Sequence, residues 1–272
     1  MTDSPVRSSG NGLTYSATGQ TVWWMAGSKP DLVLLHGFSD DADCWIPLLP
    51  ELAALGGVLA VDARGHGASP LPAGPVGPAL QASDTLVVLE SLRPSRPVVL
   101  IGHSMGAVTA AHLAAERPDL VAALVLEDPP PDAYGESRPR GVPDWLAAAR
   151  VLPEDARIDA CRRENPGWPD VDLAPWARAK TRLNLEYCDR PTVPAPPLSV
   201  TLSPVVCPVL LLHGDPACGG MNTAQDVAAM RESCTGPFTA VAFDEAGHTP
   251  RREARDSYVS AVLSWLAATA HR

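Results

Sequence analysis

One stretch of the 272-residue chain decides its fold: residues 98–111, with the sequence Val-Val-Leu-Ile-Gly-His-Ser-Met-Gly-Ala-Val-Thr-Ala-Ala. Residues 98–101 form an unbroken apolar run, which is typical of a strand buried on both faces of a parallel sheet. Small apolar residues then recur at helical spacing at Val108, Ala111 and Ala115, and the run ends at Arg117-Pro118. The stretch therefore predicts a buried strand followed at once by a helix that packs closely on the sheet.

The turn between this strand and this helix, Gly102-His103-Ser104-Met105-Gly106, fits the pattern Gly-x-Ser-x-Gly. In a nucleophile elbow the serine lies on a strained tight turn, and the two glycines leave room where a side chain would collide with strand or helix. Because the motif stands between a buried strand and a helix, it predicts Ser104 as a catalytic nucleophile. The alternative is a serine that only caps the helix N-terminus in a glycine turn.

The composition disfavours several classes of partner. The net charge of −10 argues against nucleic acid and anionic membranes, because an acidic surface gains neither counterion release nor attraction from them. No stretch approaches the ~20 apolar residues of a membrane span, and residues 1–12 lack the apolar segment of a signal peptide. We therefore expect a soluble, cytoplasmic protein that binds a small molecule. Nothing in the sequence specifies its oligomeric state.

Cysteine usage indicates neither a metal site nor a redox site. No Cys-x-x-Cys pair occurs among the six cysteines, which are Cys44, Cys161, Cys188, Cys207, Cys218 and Cys234. We expect ordinary thiols, no metal and no cofactor.

Strand and helix patterns alternate along much of the chain. A hairpin is predicted at residues 13–17 and 21–26, and buried strands are predicted at 31–35, 58–61, 98–101, 121–126, 205–212 and 238–243. Helical spacing is found at 45–55, 79–92, 222–234 and 250–270 and after Ser104. This alternation predicts an α/β fold, a mostly parallel sheet with helices on both faces, whose core is formed by residues 1–128 and 205–272.

Residues 129–204 differ from the predicted core. The buried-strand patterns vanish there, prolines multiply, and apolar residues recur at helical spacing instead. We therefore predict an inserted helical cap over residues 129–204. Its predicted substrate pocket consists of Trp145, Trp168, Trp176 and Leu183. The alternative is that these residues only pack the cap onto the core.

The predicted nucleophile requires a histidine and a carboxylate. A base must take the serine proton, and an acid must hold the tautomer of that base and stabilise its imidazolium. His248 is the predicted base, because it follows the last strand in a Gly-His turn. His103 lies inside the elbow and is expected to point away. Structural hydrogen bonds are expected of His36, His66 and His213, and helical positions of His112 and His271.

Four motifs together resemble those of the α/β-hydrolase fold superfamily, over residues 12–270: His36-Gly37-Phe38, residues 62–69, residues 102–106 and Gly247-His248. The resemblance implies that the backbone amides of Phe38 and Met105 form an oxyanion hole, which binds the charge that develops on the attacked carbonyl oxygen. The alternative for Phe38 is a purely apolar loop residue. The resemblance also implies that Asp62, Arg64 and His66 brace the turn after their strand.

The acid is where this sequence departs from the family pattern. Family members often have Gly-x-x-Asp after the next-to-last strand, which from Gly214 places Ala217 at the position of the acid. Asp215 lies two residues earlier and precedes a proline, so it is the favoured acid. Some relatives place the acid after the strand that precedes the cap, where this chain has the alternatives Glu127 and Asp128.

These residues predict a cofactor-free serine hydrolase that cleaves a carboxylic ester or lactone of a small, largely apolar substrate through an acyl-enzyme. Serine at the elbow argues against dehalogenase and epoxide-hydrolase relatives, which the resemblance associates with aspartate there. Hydrolysis of a thioester, an amide or a carbon-carbon bond on the same triad is an alternative. A non-enzymatic ligand receptor on a hydrolase scaffold is another.

Overall fold

A nine-stranded, mostly parallel sheet lies at the centre of the residues that the computed structural model describes, 7–8, 12–131 and 141–269. The strands are β1 (Arg7–Ser8), β2 (Leu13–Thr18), β3 (Thr21–Ala26), β4 (Leu32–Leu35), β5 (Val58–Val61), β6 (Val98–His103), β7 (Val121–Glu127), β8 (Val209–Gly214) and β9 (Phe238–Phe243). Their order in the sheet is β1-β2-β3-β5-β4-β6-β7-β8-β9. The first three strands pair antiparallel, and β3 also pairs antiparallel with β5. From β5 to β9 the pairs are parallel, which confirms the predicted fold class.

The central strands are apolar on both faces. Every residue of β4 and β5 is buried. Successive side chains point to opposite faces, so Val33 and Leu100 belong to one core cluster while Leu34 and Ile101 belong to the other. The carboxyl ends of these parallel strands lie at one edge of the sheet, where the loops after β4, β6, β7 and β9 meet.

Helices cover both faces of the sheet. The α-helices are α1 (Leu49–Leu52), α2 (Pro78–Leu92), α3 (Met105–Glu116), α4 (Asp144–Val151), α5 (Glu154–Glu164), α6 (Asp170–Arg182), α7 (Leu198–Leu202), α8 (Ala224–Ser233), α9 (Pro250–Glu253) and α10 (Arg255–Thr269). Helix α3 packs Ala111 on one face, and α10 packs Val262 on the other. None of the described helices has the length and apolar character needed to cross a membrane.

Two predicted helices are divided. Over residues 45–55 the chain forms two 3₁₀ turns, Ala42–Leu48 and Ala53–Leu55, on either side of the single-turn α1. Pro47 lies inside the first turn and lacks the backbone N–H that a continuous helix needs. The terminal helix predicted over 250–270 breaks at Ala254, whose φ of −134° is not helical.

Between β7 and β8 the chain leaves the sheet. It forms α4, α5, α6, a 3₁₀ turn at Leu185–Cys188, and α7. Residues 132–140 of the predicted cap lie outside the described residues. Leu198 and Leu202 of α7 already belong to the core cluster that contains Val33. Helix α7 therefore packs with the core, and α6 contacts it through the ion pair of Lys180 with Asp40 at 2.8 Å.

Candidate active site

Ser104 lies in a strained turn between β6 and α3. Its φ of 51° and ψ of −116° are rarely adopted by residues with a side chain. The neighbouring glycines are required, because a Cβ at Gly102 would lie 2.6 Å from the Cα of Ala107 and a Cβ at Gly106 would collide with the carbonyl of Leu35. The Ser104 side chain makes no capping bond to α3, which the helix-cap alternative needs. The backbone at the motif is therefore that of a nucleophile elbow.

His248 contacts Asp128, the residue that follows β7. Nδ1 of His248 donates to Oδ2 of Asp128 at 2.7 Å. The fully buried carboxylate also accepts from the backbone N–H of Met221 at 3.0 Å and from the side-chain amide of Asn222 at 3.1 Å. The His248 side chain is 36% exposed, so a small molecule can reach the ring. A carboxylate on Nδ1 orients the imidazole and keeps its proton on that nitrogen.

The favoured acid, Asp215, is turned toward its own loop. Its Oδ1 accepts from the backbone N–H of Ala217 at 2.8 Å and caps the 3₁₀ turn Pro216–Cys218. A local bond of this kind competes with any longer-range partner. The expected pairing of Asp215 with His248 is therefore wrong. Glu127 is not that partner either, because its Oε2 accepts from Nη1 of Arg251 at 2.8 Å.

Short contacts bring the loops after β6, β7 and β9 together. The backbone N–H of Ser104 donates to the carbonyl of Glu127 at 2.9 Å. Nε2 of His103 donates to the carbonyl of His248 at 2.9 Å, and the two rings are 4.8 Å apart. Burial, with repulsion from Arg251, holds the pKa of His103 well below its usual range. His103 is therefore a neutral donor that positions the backbone of His248.

The loop after β4 lies against the elbow. A Cβ at Gly37 would lie 3.3 Å from the Cβ of Ser104 and 2.6 Å from Nδ1 of His103, so glycine alone permits this approach. Phe38 follows in this loop, and Met105 begins α3 directly after Ser104. Phe38 thus approaches the elbow from the loop after β4, whereas Met105 belongs to the elbow itself.

Asp62 and Arg64 hold the turn after β5. The two carboxylate oxygens of Asp62 accept from the backbone N–H groups of Ala42 and Ala68, each at 2.8 Å. Burial raises the pKa of Asp62 to about 7. Arg64 pairs with Asp84 at 2.8 Å. These contacts agree with a bracing role.

The other histidines make structural hydrogen bonds. Nε2 of His36 accepts from the backbone N–H of Ala63 at 3.0 Å, and burial lowers the pKa of His36 to about 4. Nδ1 of His66 and Nδ1 of His213 face backbone carbonyls at 3.1 and 3.2 Å. His112 lies on α3, and His271 lies outside the described residues. Within the described part of the chain, no three His, Cys, Asp or Glu side chains are grouped as a metal site.

The three tryptophans of the predicted pocket lie in two different surroundings. Trp145 is 50% exposed and belongs to none of the apolar core clusters of the described residues. Trp168 and Trp176 pack edge to face, with ring centres 6.3 Å apart. The guanidinium of Arg252 lies 4.6 Å from Trp168, and the ammonium of Lys180 lies 4.9 Å from Trp176. These two indoles cover buried cations, which their electron-rich faces attract.

Leu183, the fourth predicted pocket residue, packs with Met105, the residue after Ser104. It is buried in one cluster with Met105, Leu146 and Tyr187. The spacing of Leu183 and Tyr187 predicted a shared face, but not that Tyr187 lies beside Met105. Leu146 was not predicted, and neither was Gln81, whose side-chain amide donates to Tyr187 Oη at 3.1 Å and to Met105 Sδ at 3.3 Å.

Comparison with known proteins shows the family of the chain. The sequence profile of the Alpha/beta hydrolase family matches residues 32–261. The chain belongs to the α/β hydrolase family. Ser104 after β6, Asp128 after β7 and His248 after β9 thus lie within the residues that match the family.

Individual known proteins are similar to this α/β hydrolase in sequence or in structure. Lipase LipV of Mycobacterium tuberculosis (strain ATCC 25618 / H37Rv) is 39% identical over 151 residues, which are 53% of this chain and 54% of that lipase. The match thus spans about half the length of that relative. The crystal structure of E-2-(acetamidomethylene)succinate hydrolase is similar with a TM-score of 0.70 and 21% identity, over 92% of this chain and 97% of that one. The enol-lactonase from Burkholderia xenovorans LB400 gives 0.69 and 22%, over 93% and 99%. At such identities the structural likeness shows the fold alone.

Proposed function

We propose that this α/β hydrolase is a serine hydrolase that cleaves a carboxylic ester or lactone of a small, largely apolar substrate. The observation that carries the proposal is the 2.7 Å bond from His248 to the buried Asp128, in loops that adjoin the strained elbow of Ser104. Acyl transfer by a serine requires this combination of an exposed hydroxyl, a base and an acid that orients the base.

In the proposed mechanism, Asp128 keeps a proton on Nδ1 of His248, which leaves Nε2 to accept the hydroxyl proton of Ser104. The Ser104 Oγ attacks the carbonyl carbon, and the electron pair of the C=O bond moves to oxygen. The backbone amides of Phe38 and Met105 bind this oxyanion. As the intermediate collapses, the imidazolium protonates the leaving alkoxide. A water molecule, deprotonated by the same histidine, then attacks the acyl carbon. The bond from this carbon to Ser104 Oγ breaks, the imidazolium returns the proton to Oγ, and the acid leaves.

Helices α4, α5 and α6 are proposed as the cap over this site. The buried cluster of Leu146, Leu183 and Tyr187 with Met105 supports a compact, apolar acyl group, because a polar group placed there would lose its hydration. The similarity in sequence to Lipase LipV and in structure to an enol-lactonase supports an ester or lactone as the bond that is cleaved.

The test combines a fluorophosphonate probe with p-nitrophenyl esters of graded chain length and a set of lactones. We expect the wild type to be labelled at Ser104 and to favour short acyl groups. Ser104→Ala is expected to lose both labelling and turnover with an unchanged circular dichroism spectrum. A variant that keeps about a tenth of the activity contradicts the nucleophile assignment. A folded wild type that is neither labelled nor active on esters, lactones, thioesters or amides indicates a ligand receptor instead.

A further inference from the structure

Six charged side chains form a buried cluster between α6, α9 and the loops after β4 and β7. The members of this buried charge cluster are Asp40, Glu127, Asp172, Lys180, Arg251 and Arg252, none more than 4% exposed. Asp40 is its centre: Oδ1 accepts from Lys180 at 2.8 Å, and Oδ2 accepts from Arg251 and Arg252 at 2.9 and 2.8 Å. Burial opposes ionisation of Asp40, but Arg252, Lys180 and Arg251 outweigh it and hold the pKa of Asp40 well below its usual range.

Lys180 also binds the residue next to a proposed oxyanion donor. Its ammonium donates to the carbonyl of Ser39 at 3.0 Å and to the Ser39 hydroxyl at 3.1 Å. With Asp40, these acceptors use all three ammonium protons. Ser39 directly follows Phe38 and has a φ of 64°, in the left-handed region that residues with a side chain rarely adopt. Such a conformation persists where the surroundings hold it in place.

We infer that Lys180 is a positioning residue that holds the left-handed turn at Ser39 and thereby aims the backbone amide of Phe38 at the oxyanion. The inference rests on the proposed function and assigns the proposed cap a part in transition-state stabilisation. The Phe38 N–H belongs to the Gly37–Phe38 peptide, which Phe38 connects to the peptide that enters the turn at Ser39. Losing the two contacts to Ser39 lets this turn relax, and the φ and ψ angles of Phe38 pass the change on to the Phe38 amide. The ammonium comes from α6, more than a hundred residues along the chain from the loop that it holds.

A neighbouring arginine on the same helix provides the matched control. Arg182 pairs with Asp41 at 3.0 Å and with Asp43 at 2.8 Å, so it too joins α6 to the loop after β4. Its bonds go to carboxylates and not to the Ser39 backbone, and its side chain is 39% exposed. If Lys180 only held α6 against the loop after β4, replacing Lys180 or Arg182 with methionine should change activity and inhibitor affinity in the same way. The charge of Asp40 stays countered in Lys180→Met, because Arg251 and Arg252 remain.

The experiment compares Lys180→Met, Lys180→Arg and Arg182→Met in the full chain. The readouts are kcat/KM for p-nitrophenyl acetate, and the inhibition constants of a trifluoromethyl ketone and of the secondary alcohol with the same carbon skeleton. The ketone forms an oxyanion on Ser104, and the alcohol does not. Losing an oxyanion donor outright costs roughly 10²- to 10³-fold. For Lys180→Met we expect a loss of about 10- to 100-fold in kcat/KM, the same factor in ketone affinity, and an unchanged affinity for the alcohol.

Lys180→Arg is expected to recover part of both losses, and Arg182→Met to stay within about twofold of the wild type. Equal losses of ketone and alcohol affinity, or equal effects of Lys180→Met and Arg182→Met, overturn the inference. If Lys180→Met does not fold, Lys180→Arg decides: it keeps a cation beside Asp40 but displaces the donors from Ser39, so full activity with wild-type ketone affinity in it overturns the inference. A wild type that binds no ketone and cleaves no ester refutes the proposed function itself, which is a different outcome.

Discussion

Replacing Asp128 with asparagine removes one negative charge beside His248 and leaves the shape of the side chain almost unchanged. Nδ1 of His248 and Oδ2 of Asp128 are 2.7 Å apart. When His248 is protonated, unit charges at this distance attract each other by ~6 kcal/mol at an effective dielectric constant of about 20. Because the His248 side chain is 36% exposed, this value is an upper limit. A tenfold change in rate corresponds to about 1.4 kcal/mol. We therefore expect kcat/KM for p-nitrophenyl acetate to fall by about 10⁴-fold, the loss found for the same change in a serine protease triad.

Asp215→Asn is the matched control for this prediction. Its side-chain oxygen accepts from the backbone N–H of Ala217 at 2.8 Å, and an asparagine oxygen can do the same. The activity of this variant is expected to stay within about twofold of the wild type. Initial rates would be measured at one pH near 8, with thermal unfolding to verify both folds. The reasoning fails if folded Asp128→Asn keeps more than about a tenth of the activity, or if Asp215→Asn loses that much.

Three further predictions test the geometry around the site. Gly106→Ala places a methyl group against the carbonyl of Leu35, so we expect a loss of about 3 kcal/mol, roughly 10 °C in Tm; an unchanged Tm contradicts the close approach. Trp176→Ala uncovers the ammonium of Lys180 and should lower the free energy of unfolding in urea by about 3 kcal/mol, whereas the half-exposed Trp145→Ala should change it by less than about 0.5. Equal losses of unfolding free energy in Trp176→Ala and Trp145→Ala would contradict this difference between the two indoles. Burial lowers the pKa of His36 from 6.5 to about 4, so between these pH values the unfolded chain binds a proton that the native state does not. The stability of the wild type relative to His36→Gln should therefore fall by up to about 3 kcal/mol as the pH drops from 6.5 to 4, and a constant difference in urea titrations argues against a neutral His36.

The sheet and the elbow were predictable because local sequence and local sterics determine them. A strand buried on both faces must be apolar at every position, as β4 and β5 are. The elbow needs glycine at residues 102 and 106 because backbone atoms occupy the space of a side chain. Proline likewise explains the divided helix at 42–55, although periodicity alone did not reveal it.

The carboxylate partner of His248 and the surroundings of the tryptophans were not predictable from spacing, because they depend on which loops meet. Asp128 has a φ of 40°, and its carboxylate accepts a hydrogen bond from His248, which is 120 positions away in the sequence. Asp215 lies in the loop beside it, but its side chain is bound within its own turn. The tryptophan pattern predicted a pocket for an apolar ligand, but the spacing could not show that the cation of Lys180 lies against Trp176.

The buried charge cluster joins the helices between β7 and β8 to the core by ion pairs. Asp172 and Lys180 belong to the inserted helices, whereas Asp40 and Arg252 belong to the core, so each part neutralises charges of the other. Excising the insertion would hydrate Arg252, strip Trp168 from its guanidinium, and leave one oxygen of Asp40 without its described partner. Separating a buried ion pair of this kind typically costs about 3–5 kcal/mol. The helices between β7 and β8 therefore cannot be exchanged alone. Helices taken from a relative would have to supply counter-ions for Asp40 and Arg252, or these two charged residues would have to be replaced in the core.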